Sequence, residues 1–139
     1  VNPVSNSVVP KFTVIIGNSY GAGNYAMCGK AYNPRLIVAW PSANLAVMSG
    51  NSASQVLLQI EKAKLKKEGK QINPQEEQEL LTNIQEKYNK QISPYYAAAR
   101  LWTDAIIDPK DTRKWISMGI DAANNAPQKD KFNMGVLQV

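Results

Sequence analysis

A chain of 139 residues, 44% of them hydrophobic, has the length and apolar content for one packed domain. It contains no histidine and a single cysteine, Cys28, which excludes imidazole-based triads and dyads, Cys/His zinc sites and an internal disulfide. The formal charge of +5 does not follow a nucleic-acid-binding pattern: Lys62, Lys64, Lys66, Lys67 and Lys70 share their stretch with Glu61 and Glu68, have no interleaved aromatics, and are followed by Glu76, Glu77 and Glu79.

Residues 1–10 are turn-rich and commit to no element. From Phe12 to Ile16 a short β-branched apolar run predicts a buried strand, and a glycine-punctuated loop, Gly17 to Asn24, follows it. Tyr25 to Cys28 reads as the opening turns of a small helix, with Cys28 a small buried apolar residue rather than a nucleophile. Leu36–Trp40 and Leu45–Met48, separated by Pro41, Ser42 and Ala43, read as two further strands.

The period then changes. Between Ala53 and Lys67, Val56, Leu57, Ile60 and Ala63 recur at helical spacing, and Gly69 is placed to stop the helix. A second helix opens at Asn73 as N-cap, with Pro74 at N1, Glu76 at N3, and Leu80, Leu81, Ile84 and Tyr88 along one stripe. Ser93 and Pro94 start a short helix through Tyr95 to Arg100; Ala105 to Ile107 reads as a strand; Asp108 to Asp111 leads into a last helix from Thr112 to Ala123. The order predicts an α/β domain with helices covering one face of a small sheet. No apolar run approaches the roughly 18 residues of a membrane span. The lone thiol suits a reducing compartment, and targeting is not read from an end that lacks an initiator Met.

The chemistry-bearing feature is a strand that runs through a glycine-rich turn into a helix. Such a turn presents unpaired backbone N–H groups where the helix dipole adds partial positive charge, and so can hold an anionic oxygen without any acid or base. It is neither a P-loop nor a full dinucleotide fingerprint, since GxxxxGK[ST] and the third glycine are both missing. Taken alone the signal is weak, because glycine-rich strand-to-helix turns are common and a purely structural turn is the more frequent case.

The run VPKFTVIIGNSYGAGNYAMCGKAYNPRLIVAWPSANLAVMSG resembles the second half-domain of the carboxyltransferase β subunits of biotin-dependent acyl-CoA carboxylases, and within them the methylcrotonoyl-CoA carboxylase branch. The later KKEGKQ and SPYYAAARLWTDAIIDPKDTRKWISMGIDAA stretches resemble the same subunit's C-terminal region. The resemblance implies a crotonase-like (ClpP/crotonase) fold with a helical insertion, this chain being the C-terminal, biotin-side portion. It implies that the amides of Gly21, Ala22 and Gly23 form an oxyanion hole for the ureido oxygen of biotin as carboxybiotin gives up its carboxyl group to an acyl-CoA. Beside that loop Tyr20, Asn24 and Tyr25 are the candidates to line the biotin slot, with core or interface packing the commoner role for the two tyrosines. No metal is implied. The expected partners are further copies of the subunit and a biotin carboxylase or biotin carrier subunit, with no nucleic acid and no membrane, in a bacterial cytoplasm or, less favoured, a mitochondrial matrix. The site would be completed by an N-terminal domain outside this chain, so the chain alone is not expected to turn over.

Arg35 is expected in a salt bridge, Tyr95, Tyr96, Arg100 and Trp102 at a subunit interface, and Asp108, Asp111 and Arg113 as turn and cap residues. Two departures from the branch, Gly17-Asn18-Ser19-Tyr20-Gly21 for Gly-Gly-Ser-Phe-Gly and Ser49 to Ser54 for the "GGEQAA" run, bear on substrate preference more than on loop geometry. A biotin-dependent decarboxylase subunit and a non-catalytic assembly module working through residues 53–90 stay open as alternatives. The lysines at 62–70 read as a solvated helix face, or as a docking patch for an acidic partner or a CoA phosphate.

Overall fold

The computed structural model describes residues 1–69 and 73–125; Lys70, Gln71, Ile72 and the 126–139 tail lie outside the described residues. The apolar strand runs pair in parallel, as buried runs without polar alternation do. Strands β1 (Phe12–Ile15), β3 (Leu36–Ala39) and β5 (Ala105–Ile106) form one sheet in the order β1-β3-β5, with Val14 opposite Val38 and Val38 opposite Ala105. The central strand carries the most deeply buried side chains, Ile37 and Val38, each contributing about 1.5–3 kcal/mol on removal from water. Around Ile37 the core is completed by Ile15, Ala39, Ala43, Leu45 and Ala97.

The expected loop from Gly17 to Asn24 is not a loop. Its first half is strand β2 (Asn18–Tyr20), which pairs in parallel with β4 (Asn44–Ala46) as a second sheet, and its second half is already helix α2 (Gly21–Ala26). Pairing with β4 satisfies the backbone of this polar segment, and Gly21 at φ +50 makes the turn between the elements. The helix therefore begins four residues earlier than the sequence suggested, and the helices do not simply cover one sheet. Cys28 is buried as expected, and its carbonyl accepts from the Thr13 hydroxyl at 2.9 Å. The uncommitted N-terminus includes a short helix, α1 (Asn2–Asn6).

Helix α3 (Gly50–Lys67) also starts early, because the Ser49 hydroxyl caps the Ser52 N–H at 3.2 Å. Gly69, at φ +74, follows its end as expected. Helix α4 (Pro74–Gln91) has the expected N-cap: Asn73 accepts from the Glu76 N–H at 2.8 Å while Glu76 reaches back to the Asn73 N–H. The two run antiparallel, since Lys62 pairs Glu77 at 2.6 Å, Gln85 donates to Asn51 at 2.6 Å, and Gly50 lies against Asn89. The side of α3 turned inward is Gly50, Ala53, Ser54 and Leu58, whereas Val56, Leu57 and Ile60 are exposed. The small residues win this face because α4 approaches closely there: a Cβ on Gly50 would lie 2.8 Å from the Asn89 Oδ1.

The hairpin is fastened to the sheets at one end. Leu45 N–H donates to the Ile92 carbonyl at 2.9 Å, and the Tyr88 hydroxyl donates to the Met48 carbonyl at 3.0 Å. Helix α5 (Pro94–Ala98) buries Pro94 and Ala97, and α6 (Thr112–Asn125) packs on β1, with Gly119 against the Phe12 ring. The Trp40 indole N–H donates to the Thr112 hydroxyl at 2.9 Å, joining the end of β3 to the start of α6.

Candidate functional site

At the junction of β2 and α2, Gly21 combines a left-handed φ with right-handed helical residues from Ala22 onward. An alternation of hands of this kind is the backbone pattern of a nest, in which successive N–H groups turn toward one side. Gly21, Ala22 and Gly23 occupy the first three positions of α2, where a helix offers no acceptor to its own N–H groups. None of the three amides donates to a side chain or to a loop carbonyl among the described residues. The turn admits only glycine at its first position, because a Cβ on Gly21 would lie 2.7 Å from the Val47 carbonyl oxygen.

A cleft of about 510 Å³ opens beside this turn. Of the six residues proposed from the sequence, Gly21, Asn24 and Tyr25 line it, while Tyr20, Ala22 and Gly23 do not. Ala22 and Gly23 are exposed next to it. Tyr20 is turned elsewhere, its hydroxyl donating to Asn18 Oδ1 at 3.2 Å. Asn24 is fixed in place: its Oδ1 accepts from the Ser19 hydroxyl at 3.0 Å, and its carboxamide lies over Gly29, whose missing side chain leaves it room. Tyr25 stands edge-on to Tyr32 at 6.0 Å and remains 47% exposed, available to a ligand face.

Sequence reasoning missed the other half of the cleft. Tyr88 and Ile92 from α4 and its end, with Tyr96 and Trp102, also line it, more than 60 residues away in sequence from the α2 contribution. Within the chain Tyr96, expected with Trp102 at a subunit interface, meets Trp102 edge-on at 6.0 Å and carries the Arg100 guanidinium 3.3 Å above its ring. Arg35 is not part of the site. It lines a separate groove with Trp115 and Met118, and its backbone N–H donates to the Lys11 carbonyl at 2.8 Å. Asp108 acts as expected, its carboxylate accepting from the Lys110 N–H at 3.0 Å.

Lys30 is the only charged side chain lining the cleft among the described residues. Its ammonium donates to Asp104 Oδ1 at 2.7 Å, and Asp104 Oδ2 accepts from the Ile37 N–H at 2.8 Å. Burial pushes the Asp104 carboxyl up, but the Lys30 ammonium and the Ile37 N–H together hold it below the ordinary carboxylate value. A lowered carboxyl stabilises the fold above its unfolded value, about 3.9, and that contribution disappears as pH falls through the lower folded value. Asp104→Asn is therefore expected to flatten the acid limb of stability below about pH 4, measured by thermal unfolding across pH, with little change near neutrality beyond a constant offset.

The carboxyl transferase domain model matches residues 1–134. The chain belongs to the carboxyl transferase domain family. It is 46% identical over 127 residues to the mitochondrial methylcrotonoyl-CoA carboxylase beta chain of Dictyostelium discoideum, covering 91% of this chain and 22% of that protein. It is 43% identical over 139 residues to the biotin-dependent 3-methylcrotonyl-coenzyme A carboxylase beta1 subunit of Mycobacterium tuberculosis, covering all of this chain and 26% of that one. Among solved structures, the geranyl-CoA carboxylase beta subunit of Pseudomonas aeruginosa superposes with a TM-score of 0.77 at 38% identity, over 96% of this chain and 25% of that one. The transcarboxylase 12S hexamer structure with hydrolysed methylmalonyl-coenzyme A superposes with a TM-score of 0.72 at 30% identity, over 96% of this chain and 24% of that one. This carboxyl transferase domain chain thus spans about a quarter of the length of the relatives it matches. Among its described residues no helix is long and apolar enough to cross a membrane, and no group of three or more His, Cys, Asp or Glu is placed to hold a metal ion.

Proposed function

We propose that the chain is the C-terminal, biotin-side portion of a crotonase-like carboxyltransferase subunit that moves a carboxyl group from biotin, carried on a partner, to an acyl-CoA. Methylcrotonoyl-CoA is the favoured acceptor, since relatives bearing that name match the chain at 43% and 46% identity. The helical hairpin α3–α4 is the insertion of that fold. The working protein is an oligomer of full-length subunits together with the subunit that carries biotin, and a bacterial cytoplasm is its favoured location over a mitochondrial matrix.

The single observation that carries the chemistry is the nest at Gly21 to Gly23 opening beside a cleft with aromatic walls. Its residues suit biotin: backbone donors for a ureido oxygen, Tyr25 and Trp102 for the ring faces, and no ionised acid or base that the reaction would have to accommodate apart from Lys30. Biotin, when bound, supplies the nitrogen that bears the carboxyl group and afterwards takes up the proton of the acceptor carbon. The amides of residues 21–23 hold the ureido oxygen and stabilise the negative charge that grows there as the carboxyl group departs. Asn24, pinned by Ser19, keeps the first turn of α2 in register with β2. Tyr88, Tyr96 and Trp102 form an apolar wall that limits water, which strengthens the amide dipoles.

The proposal is tested with the full-length subunit, its biotin-carrying partner and a panel of acyl-CoA acceptors. Carboxyl transfer fastest to methylcrotonoyl-CoA, as measured by kcat/KM, is the expected result. Transfer to none of the panel would overturn the proposal, and a faster reaction with a straight-chain acceptor would overturn the choice of methylcrotonoyl-CoA.

A further inference from the structure

We infer that Lys30 is the counter-charge for the carboxylate in transit, meeting it at the mouth of the cleft beside the Gly21 nest; the inference rests on the carboxyltransferase reading above. Three observations carry it. Lys30 is the one ionised side chain among the described residues that line the cleft, and Gly21, Asn24 and Tyr25 line the same space. Its ammonium has three donors and spends one on Asp104, at 2.7 Å, while nearly half of the side chain remains open to solvent. Asp104 does not depend on Lys30 for its position, because the Ile37 N–H holds its other oxygen at 2.8 Å and its own N–H donates to the Ile37 carbonyl at 2.7 Å. A cation tethered by a partner that is itself anchored to the sheet is aimed in advance yet still has donors to offer.

The chemistry needs such a charge. The C–N bond to the ureido nitrogen breaks and a C–C bond to the acceptor forms, the acceptor's proton ends on that nitrogen, and the carboxylate keeps one negative charge before and after. The nest serves the ureido oxygen; nothing else that lines the cleft among the described residues is cationic enough to serve the carboxylate. Lys30 acts as a fixed positive charge and exchanges no atoms.

Equilibrium binding separates this role from a strut's. With the full-length subunit, calorimetry gives the Kd of methylcrotonoyl-CoA and of its carboxylated product, and the ratio isolates the carboxylate. Lys30→Met is expected to erase the preference for the carboxylated form by roughly tenfold or more, while Lys30→Arg retains most of it. Asp104→Asn, which keeps an acceptor for the Ile37 N–H and removes the ion pair, is expected to leave the ratio intact. An unchanged ratio in Lys30→Met, or equal losses in Lys30→Met and Asp104→Asn, overturns the inference while wild-type transfer still supports the functional reading. A wild-type subunit that transfers no carboxyl group overturns both.

Discussion

Gly21→Ala is expected to lower the melting temperature of the subunit and to abolish carboxyl transfer in the same variant. The left-handed backbone alone costs a residue with a Cβ about 1–2 kcal/mol. The new methyl group would also sit 2.7 Å from the Val47 carbonyl oxygen, a main-chain atom that cannot swing aside as a flexible side chain would. Relief comes from sliding β2 against β4 or from rotating the Gly21 peptide, and either motion breaks the convergence of the N–H groups at 21–23. Thermal unfolding and a transfer assay measure the two effects. Gly23 provides the contrast: it has no positive φ, and open space surrounds its Cβ position, so Gly23→Ala should leave the melting temperature near the wild-type value. A Gly21→Ala subunit with unaltered stability and transfer would show that the turn is not built as described.

The elements that packing and caps dictate locally were legible in the sequence. The strand runs at Phe12, Leu36 and Ala105, the Asn73 cap with Glu76, and the stop at Gly69 all stand where their residues required. The misreadings share a cause. Asn18, Ser19 and Tyr20 have no strand propensity as a group, and only their ladder with Asn44 to Ala46 makes them a strand, a pairing across 26 residues that local pattern does not encode. Likewise Val56, Leu57 and Ile60 have the spacing of a buried stripe, yet α4 packs on the small residues beside them. The site was half legible for the same reason. Gly21, Asn24 and Tyr25 belong to one short motif, whereas Tyr88, Tyr96 and Trp102 reach the cleft only through the anchoring of α4 on β4. Lys30, close to the motif in sequence, was passed over because its partner Asp104 lies 74 residues away.

Residues with exposed apolar side chains, Val56, Leu57, Ile60 and Leu101 among them, stand in a chain that spans about a quarter of its relatives' length. For that reason activity tests belong to the full-length subunit.

The most direct test of the nest is the removal of one N–H from it. Ala22→Pro does so at the second position of α2, where the fixed φ of proline suits a helix's first turn and the preceding Gly21 has no Cβ to meet the ring. An ester in place of the Ala22 amide deletes the same donor with no ring at all. Loss of a single oxyanion donor lowers kcat by about 10²–10³-fold in comparable sites. The expected result is a fall of that size in carboxyl transfer by both variants, with melting temperature and subunit assembly unchanged. Transfer at the wild-type rate in the ester variant would contradict the central role assigned to these amides.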